Sequence, residues 1–169
     1  MEQVILVNES DEEIGAMEKL QAHREAKLHR AISVFVFNNK GQFLLQKRAK
    51  EKYHSANLWS NTCCSHPRPG EQTHVAAKRR LTEEMGIECD LQYKFSFIYK
   101  AELESGLTEY ELDHVFLGVY NGEPDINRDE VSDWKYENLE SIEQDLLHSP
   151  ESYTAWFKIV FERVLELRK

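Results

Sequence analysis

The chain has 169 residues, of which 41% are hydrophobic and 30% charged, as expected of one ordinary globular domain. Its formal net charge of −9 argues against general binding to nucleic acid or to an anionic membrane, where a basic surface supplies most of the attraction, and by itself against a phosphorylated substrate. Three cysteines, two of them adjacent, exclude a disulfide-built scaffold. We expect a single domain over residues 1–169.

The first residues and the apolar runs of the chain predict neither a signal peptide nor a membrane helix. The first residues lack the basic start and apolar stretch of a signal peptide. No apolar run approaches the roughly 18 residues of a membrane helix. We therefore expect a protein of the reducing cytoplasm.

The first half of the chain predicts two strands, a hairpin and a helix. Apolar runs predict strands at 4–7 and 32–37. The turn residues 38–41, followed by Phe43 and the two leucines after it, predict that the second strand continues into a hairpin. A helix is predicted from about Thr73 to Met85, where Gly86 ends it.

The second half predicts strands near 91–100, 109–120 and 131–137, followed by two helices. Ser141 is predicted to cap a short helix, and Tyr153 to Leu167 to form a longer terminal one. Strands first, one helix in the middle and helices last predict an α+β fold, an α/β/α sandwich with a mixed β-sheet between helices.

The stretch from Asn61 to Pro67 concentrates reactive side chains. If it is extended, Cys64 and His66 point to one face, because strand side chains alternate. Such a pair could be a nucleophile and its base, an acid and a metal ligand, or simply a packed edge. From the residues alone packing is favoured, since free cysteine is among the most buried residue types.

A second reactive stretch runs from Thr108 to Phe116. Glu109, Glu111 and Asp113 share one face of this predicted strand. Three carboxylates in a row repel one another, so the face either meets solvent or holds a cation. Solvent exposure is the commoner outcome and is our expectation from the residues alone.

The histidines are less informative. His23 and His29 lie six residues apart, which is about 240° on an ideal helix, so both reach one ion only if the helix ends between them. A structural role is favoured for this pair. Apart from His66, the other four histidines have no supporting pattern and are predicted to be ordinary: His54, His74, His114 and His148.

The predicted helix at 73–85 carries the most specific pattern in the chain. Arg79 with Glu83, and Arg80 with Glu84, are i,i+4 neighbours that would form surface ion pairs worth a few tenths of a kcal/mol each. The string also resembles the Nudix signature G-x5-E-x7-R-E-U-x-E-E-x-G-U, where U is aliphatic. The matching positions are Glu71, Arg79, Glu83, Glu84, Gly86 and Ile87, and the departures are Ser65 for the first glycine and Arg80 for a glutamate.

Both departures fit a branch of that fold, because the chain resembles the type 1 isopentenyl-diphosphate isomerases from about Val4 to Phe157. Its most specific matching segment is Trp59 to Pro67, with Cys64-Ser65-His66 where many members have Cys-Gly-His. The other matching pieces are Leu20 to His23, Leu28 to Ala31, Phe37-Asn38, Leu45 to Ala49, Arg79 to Gly86, and Glu109 to Glu111.

The resemblance implies a Nudix-like fold and a reaction of isoprene biosynthesis, in which isopentenyl diphosphate becomes dimethylallyl diphosphate. An unactivated alkene must be protonated to a tertiary carbocation and then lose a proton, which requires an acid and a base in a dry pocket. The implied pair is Cys64 and Glu111, with Tyr99 assisting proton delivery and Trp156 facing the cation. From the residues alone, Trp156 would be assigned to core packing.

The resemblance also implies two metal ions and a basic diphosphate site. A Zn²⁺ or Mn²⁺ ion would bind an N/O ligand set, and a Mg²⁺ ion held by Glu84 would bridge phosphate oxygens. The implied ligands of the first ion are His23, His29, His66, Glu109 and Glu111. The implied substrate-binding residues are Lys19, Arg48, Lys52 and Arg80.

The implied partner is a small diphosphate, and neither nucleic acid nor a membrane is expected. The protein itself is expected to be a monomer or a homodimer. On this interpretation the acidic net charge reflects the surface as a whole, whereas the pocket that binds the diphosphate is basic. Two alternatives remain at this point: a Nudix hydrolase of nucleoside diphosphate derivatives, and a non-catalytic binding module. Arg80 speaks against the first, and the complete ligand set speaks against the second.

Overall fold

A computed structural model describes residues 1–167; Arg168 and Lys169, the last two residues of the predicted 1–169 domain, lie outside it. Within the described residues the chain forms nine strands and four α-helices. The strands are β1 (Gln3–Val7), β2 (Glu13–Glu18), β3 (His29–Phe37), β4 (Phe43–Arg48), β5 (Trp59–Ser60), β6 (Cys63–Ser65), β7 (Leu91–Glu102), β8 (Thr108–Val119) and β9 (Val131–Glu137). The helices are α1 (Lys19–Arg24), α2 (Thr73–Met85), α3 (Leu139–His148) and α4 (Ala155–Glu166).

The sheet is built around β3, which is buried at every position except Arg30. From Ala31 to Phe37 its side chains are apolar on both faces except for Ser33, as expected of a strand covered on both sides. It pairs in parallel with β8, from His29–Glu111 to Phe37–Val119. On its other side β6 pairs antiparallel with it, and β7 continues the sheet antiparallel beyond β8. The sheet is therefore mixed, as predicted.

The two faces of β3 pack against different helices, because alternate side chains point to opposite faces. Phe35 lies on the side of α4, where its ring centroid is 6.3 Å from that of Phe157. Val34 and Val36 belong to the other core, with Leu81 of α2. This arrangement confirms the predicted α+β fold with helices on both faces of a mixed sheet.

The predicted hairpin between β3 and β4 forms, but the two strands separate after its first residue pair. The turn forms, since Asn38 Oδ1 accepts hydrogen bonds from the backbone N–H groups of Lys40 and Gln42. The two strands, however, pair with each other only at Phe37–Phe43, and β4 then pairs with β9. Both strands are buried on two sides, so distant strands compete for their edges, and a local pattern contains no information about that competition.

The helices agree with the prediction in the middle of the chain and differ near its end. Helix α2 has the predicted bounds, and Gly86 ends it with a left-handed φ of 64°. Ser141 is not a cap, because α3 begins two residues earlier at Leu139. Helix α4 begins at Ala155, where the Thr154 side chain accepts a hydrogen bond from a backbone N–H. None of the helices in residues 1–167 is long and apolar enough to cross a membrane.

Candidate active site

A cavity of about 420 Å³ opens between the sheet, α2 and α4. Its walls come from segments that are far apart in the sequence, including β6, α2, β8 and α4. Eleven of the thirteen residues singled out from the sequence line it: Lys19, Arg48, Lys52, Cys64, His66, Arg80, Glu84, Tyr99, Glu109, Glu111 and Trp156. The other two, His23 and His29, are fully buried behind this wall.

The two buried histidines approach each other because the helix that carries the first one stops. Helix α1 ends at Arg24, Ala26 then takes a positive φ of 50°, and His29 opens β3. The His23 and His29 ring centroids are consequently 5.0 Å apart. His23 and His29 were expected to reach one ion only if the helix ended between them, and the structure has this helix end.

Both buried imidazoles are oriented by backbone carbonyl groups. The Nδ1 of His23 lies 2.7 Å from the Lys19 carbonyl oxygen, and the Nδ1 of His29 lies 2.8 Å from that of Lys27. We therefore place the proton on Nδ1, so that each Nε2 keeps its lone pair. Among the described residues these two buried Nε2 atoms make no hydrogen bond.

A third imidazole and a carboxylate complete this group. Glu111 faces His29 across the β3–β8 pairing, and its Oε1 is 3.3 Å from the His29 Nε2, 3.0 Å from the His66 Nε2 and 4.0 Å from the His23 Nε2. Burial opposes ionisation of Glu111, but when His29 and His66 carry a proton on Nε2, their hydrogen bonds and positive charge lower its pKa well below the ordinary value. Four ligand atoms therefore converge on a space in which a single cation fits.

The expectation that the carboxylate row faces solvent is wrong. Glu109 and Glu111 are 5% exposed and Asp113 is 2% exposed, because Tyr99, Ser33 and the imidazoles pack against this face of β8. The Tyr99 hydroxyl lies 2.9 Å from Glu109 Oε2 and 2.6 Å from Glu111 Oε2. Burial and the nearby charge of Glu111 raise the pKa of Glu109 well above its ordinary value.

Cys64 lies in the cavity wall with a complete set of polar neighbours. Its Sγ donates to Asn61 Oδ1 at 2.8 Å and accepts from the Trp156 indole Nε1–H at 3.0 Å. The Ser33 hydroxyl lies 3.6 Å from the same sulfur and donates to Asp113 at 2.6 Å. Burial and the charge of Asp113 raise the pKa of the Cys64 thiol, so the group is held as a neutral thiol.

The neighbouring Cys63 has a different environment. It is fully buried in the core beneath α2, with Leu81 and Met85. The alternation along β6 therefore places Cys63 in the core and Cys64 in the cavity wall. The packed edge favoured for Cys64 and His66 from the residues alone does not describe them, because both side chains line the cavity.

Basic side chains line the other part of the cavity, and three of them, Lys19, Lys52 and Arg80, have carboxylate partners. Lys19 Nζ lies 2.6 Å from Glu2, and Lys52 Nζ lies 2.5 Å from Glu130. Arg80 donates to Glu84 at 2.6 Å. These ion pairs neutralise the basic residues while leaving them at the cavity wall.

The two positions that depart from the hydrolase signature touch each other. Arg80 Nε donates to Ser65 Oγ at 2.9 Å. Ser65, which stands in place of the signature glycine, therefore orients Arg80, which stands in place of the signature glutamate. Arg79 has a different role: it forms a two-bond contact with Glu71, at 2.7 and 2.8 Å, besides the expected contact with Glu83. Its main contact therefore fixes the preceding loop to α2.

Trp156 belongs both to the core and to the cavity. It is almost fully buried in the cluster that joins α4 to the sheet, yet its indole N–H points at Cys64. The Arg48 guanidinium carbon lies 5.1 Å from the Trp156 ring centroid, within the range of a cation–π contact. The indole face is therefore already next to positive charge.

Sequence reasoning missed several residues of this wall, and two of them contact its charged groups. His54, predicted to be ordinary, is 4% exposed and lies 3.8 Å from Glu109 through its Nε2. Glu130 accepts hydrogen bonds from both Lys52 and Arg80. Neither residue stands in a local pattern that could have revealed it, since each reaches the site from a loop.

The comparisons with known proteins agree with this geometry. The NUDIX domain family model matches residues 27–157. An isopentenyl-diphosphate Delta-isomerase of Pectobacterium atrosepticum is 52% identical over 162 residues, covering 96% of this chain and 90% of that protein. Isopentenyl-diphosphate Delta-isomerase 1 of Aromatoleum aromaticum is 53% identical over 168 residues, covering 99% and 95%.

Solved structures support the fold at lower identity. A protein of Deinococcus radiodurans superposes with a TM-score of 0.79 at 20% identity, covering 95% of this chain and 98% of that one. A MutT protein of Methanosarcina mazei gives a TM-score of 0.67 at 22% identity, covering 84% and 96%. The chain belongs to the NUDIX-domain family and, within it, to the isopentenyl-diphosphate Delta-isomerases.

Proposed function

We propose that this protein converts isopentenyl diphosphate into dimethylallyl diphosphate, with Cys64 and Glu111 as the proton-transferring groups. The observation that carries the assignment is that one cavity holds both a neutral thiol beside an indole and a row of basic side chains. The first part suits a hydrocarbon that becomes a cation, and the second suits a diphosphate. The names of the relatives identify the same reaction.

The reaction moves one proton onto the substrate and removes another. A proton adds to the terminal alkene carbon, the positive charge forms at the tertiary carbon, and a proton leaves the carbon on the diphosphate side. Cys64 on β6 and Glu111 on β8 lie on strands that flank β3 on opposite sides. One of them supplies the proton and the other accepts one, so the enzyme ends the turnover with a proton displaced from one group to the other.

The neighbours of these two groups support their roles. Asn61 and Trp156 hold the Cys64 thiol in one orientation by hydrogen bonds on either side of the sulfur. Tyr99 bridges Glu109 and Glu111, and so offers a path for a proton between the two carboxyl groups. The indole of Trp156 stabilises positive charge without attacking it, which matters because a nucleophile would trap the cation.

The cluster of imidazoles and carboxylates fits a divalent cation. Buried Nε2 atoms without hydrogen-bond partners, next to buried carboxylates, are the arrangement expected of a ligand set. A Zn²⁺ or Mn²⁺ ion held there would supply the positive charge that offsets the buried carboxylates. The side chains that would hold it are His23, His29, His66, Glu109 and Glu111.

The basic part of the cavity fits the diphosphate. Lys19, Lys52 and Arg80 would exchange their carboxylate partners for phosphate oxygens, and Arg48 lies between this part and Trp156. A Mg²⁺ ion held by Glu84 would supply further countercharge to the diphosphate. The interpretation as a hydrolase is disfavoured, because Arg80 stands where the hydrolase signature has a carboxylate.

Proton NMR in D₂O tests the proposal. Isopentenyl diphosphate incubated with the protein and divalent metal should give deuterated dimethylallyl diphosphate without release of phosphate. Phosphate release would indicate hydrolysis, and the absence of any turnover would indicate a binding module; either outcome contradicts the proposal.

Two variants test the residue roles. Cys64→Ala and Glu111→Gln should each lower kcat by at least about 100-fold, which is the usual contribution of a positioned acid or base. Cys89→Ala is the matched control, because Cys89 packs against the core on the α2 side and does not line the cavity. Near-normal turnover of Cys64→Ala would remove the thiol from the mechanism.

A further inference from the structure

His54 is an imidazole in the cavity wall to which the proposed mechanism gives no role. It lies in the loop between β4 and β5, is 4% exposed, and its ring centroid is 5.9 Å from that of His23. On the other side its ring meets Trp156 edge to face, with centroids 5.7 Å apart. The imidazole therefore stands between the buried histidines and the indole.

The loop around His54 is held firmly in this position. Arg48 donates to the His54 carbonyl oxygen at 3.2 Å, and the Ser55 N–H donates to Glu104 in a short hydrogen bond. Ser55 takes a left-handed φ of 51°, and Asn57 one of 61°. Two non-glycine residues in this strained region persist only where the surroundings fix them, and such strain concentrates at functional sites.

The distance from His54 to Glu109 indicates a shared cation better than a hydrogen bond. Its Nε2 lies 3.8 Å from Glu109 Oε1, which is too long for a hydrogen bond. Two ligand atoms that each lie about 2.1 Å from one ion are separated by roughly 3.0 to 4.2 Å, depending on the coordination angle. The His54 Nδ1 is 3.1 Å from the Ser55 hydroxyl, so it has a partner of its own and the Nε2 lone pair is left to face the carboxylate.

His23 connects this pair to the metal centre proposed above. Its Nε2 belongs to two overlapping groups of ligand atoms, one with His29, His66 and Glu111 and the other with His54 and Glu109. Because its Nδ1 is taken by a backbone carbonyl, His23 can bind only one ion. The atoms of the two groups do not all lie within 4.8 Å of one another, so one ion bound by His23 could take ligands from both groups only if the His54 and Glu109 side chains closed toward it.

We propose that His54 is a ligand of this centre, so that four imidazoles and two carboxylates surround the ion. The inference rests on the metal centre of the proposed function and adds a ligand to it. It also gives a reason why the β4–β5 loop is folded inward: the loop brings an imidazole to the part of the centre nearest Trp156.

Cobalt binding to the metal-free protein, without substrate, tests the proposal. Co²⁺ absorbs visible light with a band shape and intensity set by its ligands, and a chelator in competition gives the affinity. His54→Ala should weaken Co²⁺ binding by at least about tenfold and change the visible spectrum. Added imidazole should restore both, because it can occupy the vacated ligand position.

His74→Ala is the matched control, since His74 is exposed on α2, and it should bind Co²⁺ as the wild type does. Unchanged affinity and spectrum in His54→Ala would overturn the proposal. Weaker binding with an unchanged spectrum and no rescue by imidazole would also overturn it, because His54 would then only position Glu109. Circular dichroism of His54→Ala shows whether the variant is folded.

The cobalt readout is independent of turnover. A wild-type protein without isomerase activity would contradict the proposed function and leave the His54 result unaffected. Conversely, an active enzyme whose His54→Ala variant keeps its cobalt spectrum would overturn the fourth imidazole and leave the proposed function standing.

Discussion

Arg80→Gln is the most informative single substitution, because Arg80 separates this site from the hydrolase signature. The guanidinium donates to Ser65, Glu83 and Glu84 at 2.9, 2.6 and 2.6 Å, and its side chain is 17% exposed. Glutamine keeps much of the length and a hydrogen-bonding group but removes the charge. The change therefore isolates the electrostatic contribution of this residue to diphosphate binding.

The magnitude follows from the contacts of the free protein. A hydrogen bond to a charged group is worth about 1.5–3 kcal/mol, and each 1.4 kcal/mol is tenfold in affinity. Arg80 already donates to carboxylates, however, so diphosphate binding exchanges one anionic partner for another and the net loss lies near the lower limit. We expect KM for isopentenyl diphosphate to rise about tenfold, while kcat changes only a few-fold because Cys64 and Glu111 are untouched.

Initial rates over a range of substrate concentrations, at fixed excess Mg²⁺, measure the two constants separately. Lys78→Gln is the matched control, since it removes one positive charge from an exposed position of the same helix and should leave both constants unchanged. A KM for Arg80→Gln within twofold of the wild type would refute the assignment of Arg80 to the diphosphate. A fall in kcat alone would refute it as well.

Two further predictions concern stability. Glu71→Gln should lower the free energy of unfolding by about 1–2 kcal/mol at neutral pH through loss of the charge-assisted contacts to Arg79. The hydrogen bonds from Arg79 lower the pKa of Glu71 below 4.5, so the stabilisation is present above that pH and is lost as the pH falls further. In thermal melts the difference in stability between Glu71→Gln and the wild type should therefore shrink at low pH. A difference that stays constant with pH would contradict this reasoning. Gly86→Ala should lower the free energy of unfolding by about 1–3 kcal/mol, which is more than for Gly70→Ala. Both positions have left-handed φ, but only at Gly86 would the added Cβ meet the Asp125 backbone. Equal losses of stability in the two variants would refute the steric argument.

The net charge shows how far composition can be taken. A value of −9 argued by itself against a phosphorylated substrate. The structure places Lys19, Lys52 and Arg80 around one cavity, each paired with a carboxylate that the charge sum counts against it. Composition averages over the surface, whereas binding depends on the charges that fold into one place.

Some features of the site could be predicted from the sequence because they depend on near neighbours. Alternation along a strand brings Cys64 and His66 to one cavity, and puts Glu109 and Glu111 on one face of β8. The bounds of α2 follow from its composition and from Gly86. The resemblance to a family added the remaining candidates, and the structure places them in or behind the wall of one cavity.

The sequence by itself thus determined the residue types, the spacing within each segment and the family. Only the tertiary structure decided which segments meet: that β3 pairs with β8 and β6 and meets β4 at only one residue pair, that the carboxylate row is buried, and that His54 joins the buried histidines. The physical reason is that burial and strand pairing are set by competition among segments distant in the chain. The sequence next to a residue such as His54 does not indicate which distant side chains the fold brings into contact with it.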